Sequence, residues 1–308
     1  MLTDAERAFY LRPSSASDPG ALPELDGLPA DPGELAGLVR GLVLHRAEVS
    51  WRFEVELPDG RLDAEPDTRY AADILRLVLA RNPSPLTEPR PLADRFVGTC
   101  RDFSLLHSAL LRRAGVPARI RCGFATYFIE GFHEDHWVTE YWDDERGWTL
   151  ADAQLFSDPV AARTEKEGYA VSFDPLRVPR DRFLVAGDAW RACRTGRRDP
   201  QTFGVSHLPA LRGLPEVLAN LLKDLAALNR VEVLPWDGWG LAEAVPELMG
   251  AADYALLDAA ARATSSGEFA GLRELYLAHE GLRPARMIVS HTAHAGDVQV
   301  LLRADAQP

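Results

Sequence analysis

Cysteine is scarce in this chain of 308 residues: Cys100, Cys122 and Cys193 are its three cysteines, an odd number scattered far apart. Such spacing builds neither a disulfide framework nor a zinc cluster, so the thiols are expected to be reduced and the fold to stand on its apolar core. Long apolar runs are missing too. Apolar runs such as Ala226-Ala227-Leu228 and Met287-Ile288-Val289 extend over only a few residues, far short of the roughly 20 needed to cross a bilayer. The opening stretch MLTDAERAFYLRPSSASDPG carries acidic residues early and lacks the apolar segment of a secretion signal. These absences predict a soluble, cytoplasmic protein. Positive charge is also in deficit, with 34 Lys and Arg against 46 Asp and Glu, a formal charge of -12. That field repels phosphate backbones and anionic lipid, which argues against nucleic-acid and membrane partners.

What is present is an ordinary globular composition, 46% hydrophobic and 26% charged, long enough for one large core or two smaller ones. Residues 12 to 33 are dense in Pro, Gly, Ser and Asp and predict a loose lead-in segment. Leu35, Leu38, Val39, Leu42 and Val43 recur at helical spacing, whereas Val49, Trp51, Phe53, Val55 and Leu57 alternate as a strand does. A further helix is expected over about Thr68 to Leu79, before the proline-studded NPSPLTEPRP, which reads as a boundary. Residues 93 to 156 show a helix pattern, a strand pattern, a short loop and two strand patterns around a tight turn. Phe183 to Cys193 predicts a short helix, Glu216 to Asn229 a longer amphipathic one, and the C-terminal third is expected to be mainly helical. The resulting division is 1–92, a mainly helical N-terminal region; 93–205, the core that carries the chemistry; and 206–308, a helical region packed on that core.

Cys100 is the cysteine with a special setting. Thr99 and Asp102 have the spacing of a capping box, which places Cys100 at the first position of a helix running to about Arg113. Arg112, Arg113, Gly115 and Pro117 are the residue types that close such a helix. A thiol at a helix N-terminus lies among unpaired amides, so its pKa is expected to fall and the same amides to be able to hold an oxyanion. Cys100, Phe103, His107 and Leu110 share one face, directed at whatever the helix packs on. Cys122 alternates with Ile120 and Phe124 on a strand and reads as core, and Cys193 has no visible partner.

A cysteine nucleophile needs a base, and the base needs a third group that fixes its tautomer. HWVTEYWDDERGWTLADAQ reads as two aromatic and β-branched strands around DDERG. A turn centred on Asp144 would set Trp142 opposite Arg146, Val138 opposite Leu150 and His136 opposite Asp152, so that imidazole and carboxylate lie side by side. A slip of one residue would turn Asp152 to the other face. His133 and Asp135 compete for the base's role from the preceding loop. His107 is disfavoured, because helical side chains point away along the axis.

With these residues in view, GTCRDFSLLHSALLRRAGVPARIRCGF resembles the cysteine helix and following strand of the transglutaminase-like superfamily of papain-type cysteine enzymes. HWVTEYW is similar to that family's histidine strand, and Trp148 to Asp152 to its aspartate motif. The resemblance covers about Phe96 to Phe156. Ala153-Gln154 departs from the Pro-containing continuation of many members. The resemblance implies an α+β fold, a papain-like core in which the Cys100 helix packs on an antiparallel sheet, with helical N- and C-terminal additions. It also implies an acyl-enzyme mechanism in which Cys100 is nucleophile, His136 base and Asp152 the orienting carboxylate, acting without cofactor or metal on an amide, peptide or acyl-thioester. The extra β-domains of calcium-dependent animal transglutaminases and the zinc site of peptide N-glycanases are not matched here.

Two rival readings come from other classes. A binding module would keep this core without turnover. A metal-dependent hydrolase would use His291 and His294 with Asp297, or His133 with His136, though neither H-x-x-H has the intervening glutamate of zinc peptidases.

Overall fold

The computed structural model describes residues 1–53, 55–158 and 169–304. The chain enters through α1 (Asp4–Leu11), capped by the Thr3 hydroxyl 3.1 Å from the Glu6 nitrogen. α2 (Pro32–Leu42) opens on Asp31, whose carboxylate accepts from the Gly33 and Glu34 amides at 2.8 and 3.0 Å. Its buried side carries Leu35, Leu38, Val39 and Leu42, the residues whose spacing predicts it. The helix runs straight into β1 (Val43–His45). After the single turn α3 (Arg61–Ala64) and the helix α4 (Ala71–Arg81) comes β2 (Phe96–Gly98), parallel to β1 with His45 opposite Gly98.

α5 (Cys100–Arg113) starts at the expected residue and ends where Gly115 takes a left-handed φ of 83°. The Asp102 carboxylate accepts from the Thr99 amide at 2.8 Å, but the Asp102 amide is satisfied by the Thr99 carbonyl at 2.9 Å and not by the hydroxyl. β3 (Ala118–Ala125), β4 (His133–Asp143) and β5 (Gly147–Ala151) form an antiparallel meander, and β6 (Phe183–Val185) joins the far edge in the order β5-β4-β3-β6. After α6 (Ala186–Arg194), β7 (Phe203–Gly204) lies parallel to the start of β4. The fold is α+β, with α5 packed across β4 and β3 and α7 (Leu214–Leu228) against β3.

One apolar cluster joins Leu35, Leu75, Phe103, Leu106, Trp137, Trp190, Leu221, Leu257 and Ile288; a smaller one holds Val138, Leu150, Val178 and Phe183. Charge is buried beside them in paired form. Arg121 grips Asp224 of α7 with two bonds of 3.0 Å, Asp224 also accepts from the Cys122 amide at 2.9 Å, and Glu140 accepts from Arg119, Arg121 and Arg180. Bidentate guanidinium pairs of this kind satisfy buried carboxylates geometrically, and removing one partner costs about 3–5 kcal/mol.

Several elements of the fold depart from the sequence-based expectations. Residues 12–33 are not loose: Ser14 and Ser17 are buried, and both bond within a group that contains Glu232 and Arg112. The strand expected from Val49 is a wide helical turn, Val49–Phe53, because Glu48 takes Arg52 one turn on at 2.8 Å and Arg40 of α2 at 2.8 and 3.0 Å, which curls the segment back. The expected helix over Phe183 to Cys193 begins with β6. The C-terminal third contains β8 (Asp237–Gly238), the helices α8 (Ala251–Ser266) and α9 (Phe269–Ala278), and a hairpin of β9 (Met287–Thr292) and β10 (Gly296–Leu301). Among the described residues, no helix is long and apolar enough to cross a membrane.

Gly123 sits between β4 and β6, opposite His136 on one side and Val185 on the other. A Cβ there would collide with the Leu184 carbonyl oxygen and stand 3.0 Å from the Val185 Cα. Gly123→Ala is therefore expected to destabilise the protein by about 1–3 kcal/mol, since backbone has little room to yield. A urea unfolding midpoint unchanged from the parent would refute this close approach of β3 and β6.

Candidate active site

Three elements converge on the candidate site. α5 presents Cys100 from its first turn, β4 presents His136 from its fourth residue, and Asp152 follows the last residue of β5. The β4–β5 pairing sets Trp142 opposite Trp148 and Glu140 opposite Leu150, two residues away from the expected register. The turn is larger than expected because Asp143 gathers the Glu145 and Arg146 amides at 2.9 and 3.0 Å and Gly147 supplies a φ of 80°. A shift of two residues keeps every side chain on its face. Asp152 is consequently not directly opposite His136 and does not lie within the strand, yet the two still meet.

Asp152 makes a full set of bonds. Its Oδ2 lies 2.7 Å from His136 Nε2 and accepts from the Tyr127 hydroxyl at 2.8 Å, while Oδ1 accepts from the Gln154 amide at 3.0 Å. The His136 ring stands among Phe128, Tyr127 and Phe183, with centroids 4.9, 5.9 and 6.4 Å away. The carboxylate holds the ring through Nε2 and leaves Nδ1 outside that contact. Cys100 takes a backbone hydrogen bond from Trp137, the residue after His136, and the Asp152 charge acts on its sulfur. Cys100, His136 and Asp152 are 9%, 3% and 2% exposed, so the group is nearly closed to solvent.

That closure reverses one expectation. Burial, followed by the charge of Asp135, pushes the Cys100 thiol well above its ordinary range despite the Trp137 bond. Burial therefore favours the thiol over the thiolate that the helix terminus alone suggests.

The competing bases have other duties. His133 stacks on Phe203 at 4.0 Å with Nδ1 3.2 Å from the Thr202 carbonyl oxygen. His107 Nε2 lies 3.1 Å from the Pro32 carbonyl oxygen, and burial lowers its pKa to about 4. Asp135 is raised to about 8 by burial and then by Glu216. On the surface hairpin, His291 lies between Asp297 and Glu243 at 2.7 and 2.9 Å, and His294 pairs with Asp67 at 2.8 Å. Among the described residues, no group of three or more His, Cys, Asp or Glu side chains is arranged to hold a metal ion.

Tyr127 was not singled out by the sequence. It follows β3 in an aromatic pair, Tyr127-Phe128, and no spacing rule connects it with a carboxylate 25 positions away. Burial, then the Asp152 charge, raises its pKa well above the usual phenol range, so the hydroxyl stays a donor.

Residues 69–153 match the family model described as the Transglutaminase-like superfamily. The matched stretch contains Cys100, His136 and Asp152. No curated protein and no solved structure matches the chain.

Two outcomes are expected. Iodoacetamide labelling of Cys100 should climb as pH passes 9, because the folded thiol titrates above its ordinary value of 9.0; a labelling rate that levels off near pH 6 would contradict a resting thiol. Tyr127→Phe should remove a hydrogen bond to a charged group worth about 1.5–3 kcal/mol. A matching loss of conformational stability at pH 7 in chemical unfolding checks it, and an unaltered stability would show the bond to be idle.

Proposed function

We propose that this chain is a cysteine-dependent acyl-transfer enzyme acting on an amide, peptide or thioester carbonyl. The observation that carries the reading is the His136–Asp152 contact of 2.7 Å beside a cysteine at the head of a helix. A buried carboxylate on Nε2 fixes the ring and stabilises the imidazolium that forms when Nδ1 receives a proton. As the Cys100 sulfur attacks the carbonyl carbon, its proton passes to His136 and the carbonyl π pair moves to oxygen. Orphan amides at the start of α5 are suited to hold that oxyanion. On collapse the bond to the leaving nitrogen or sulfur breaks, His136 returns the proton to it, and an acyl-thioester on Cys100 remains. Water then gives hydrolysis, and an amine gives transfer.

The raised thiol pKa favours proton transfer during attack over a standing ion pair. The same burial supports a second reading, a binding module that keeps this core without turnover. The two diverge in a screen of amide, peptide and thioester substrates read by intact-protein mass. A trapped acyl group is expected on the parent and none on Cys100→Ala. Equal turnover by Cys100→Ala would sink the assignment, and binding without any adduct would favour the module.

A further inference from the structure

An acyl-transfer site needs a second donor at the carbonyl oxygen, and the sequence between Arg95 and Thr99 does not identify one. The parallel pairing of β1 with β2 brings in a residue from much earlier in the chain. Val43 lies opposite Phe96, Leu44 opposite Val97 and His45 opposite Gly98, and the Arg46 amide donates to the Gly98 carbonyl at 2.8 Å. β1 therefore ends beside the segment that leads into Cys100, and both short strands reach the head of α5. His45 is also close enough to His136 for charge on one ring to disfavour charge on the other.

The His45 tautomer follows from its backbone contact. The Ala47 amide donates to His45 Nδ1 at 3.2 Å. A ring nitrogen that accepts from an amide holds no proton, so the ring hydrogen resides on Nε2. Burial outweighs the attraction of Glu48 and lowers the ring to about 4, with His136 and Arg40 adding to the effect. At neutral pH His45 is thus an uncharged ring with one N–H. The residue as a whole keeps some exposure, and among the described residues Nε2 has no hydrogen-bond partner.

We propose that the His45 Nε2–H is the second oxyanion donor, acting with the amides at the head of α5 on the carbonyl oxygen of the acyl group. The assignment rests on the acyl-transfer reading of Cys100. A neutral imidazole suits the task because it donates a hydrogen bond to the developing oxyanion and keeps its proton. When the sulfur–carbon bond forms, the carbonyl pair moves to oxygen and Nε2–H tightens on it. When the leaving bond breaks, the pair returns to the carbonyl and His45 is unchanged.

Two probes of Cys100 separate this role from a structural one. p-Nitrophenyl acetate acetylates a thiol through a tetrahedral oxyanion, whereas iodoacetamide alkylates it by direct displacement with none. Acetylation is followed by p-nitrophenolate release and intact mass, with Cys100→Ala as blank. In His45→Ala and His45→Met the acetylation rate is expected to fall on the order of 100-fold, the usual effect of losing one oxyanion donor, while alkylation stays within about twofold. His45→Gln, which keeps an N–H near the same reach, should recover at least tenfold of the loss. Methionine and glutamine are similar in length, so their contrast stands even where the alanine variant fails to fold. Unchanged acetylation in His45→Met, an equal fall in both probes, or no recovery in His45→Gln would each overturn the role of His45. A parent protein that is alkylated at Cys100 but never acetylated would instead overturn the acyl-transfer reading, and this inference with it.

Discussion

A carboxylate with 2% exposure has to be satisfied by protein groups, and at Asp152 that requirement organises the site. Each of its three partners comes from a different part of the sheet system: His136 from β4, Tyr127 from just past β3, and Gln154 from the turn that Asp152 itself opens. Meeting all three forces β5 to end at Ala151 and leaves the early part of β4 without a β5 neighbour. Into that region comes the first turn of α5, where Cys100 meets the Trp137 backbone. The His136 orientation follows from one buried anion finding its donors.

The same closure governs the sulfur. A helix terminus favours a thiolate, but desolvation and nearby carboxylates disfavour it, and here the latter prevail. In the proposed reaction, a sulfur that burial keeps protonated depends on its base at the moment of attack, which places greater weight on the alignment of His136. Arginines tie other elements of the fold together. The cationic residues of this chain are almost all arginine; Arg95, Arg112 and Arg121 are buried in pairs with carboxylates from distant segments, and Arg40 and Arg101 with the nearer Glu48 and Asp102. A planar fork that meets a carboxylate in two places fixes orientation as well as distance, so such pairs resist the sliding of one element on another.

The helix that carries Cys100 was legible because its signals are local: a threonine and an aspartate three residues apart, apolar residues at helical spacing, and glycine where the chain must reverse its twist. The hairpin was legible in kind and in side-chain parity. Its register was not, since the capacity of Asp143 to hold two amides lengthens the turn, and residue type alone does not set how many amides a side chain gathers. The stretch after Glu48 alternates like a strand but curls, because an ion pair with Arg40 of the preceding helix outweighs a weak β pattern.

By itself, then, the sequence determined the helix that begins at Cys100, through periodicity and capping, and singled out Cys100, His136 and Asp152 as candidates, while the resemblance to a known family implied the α+β character. The tertiary structure alone decided the register that joins His136 to Asp152, the Tyr127 bond, the raised thiol and the arrival of His45 beside Gly98. These depend on pairings between segments far apart in the chain and on exclusion of water, and neither quantity is encoded within any short window of residues.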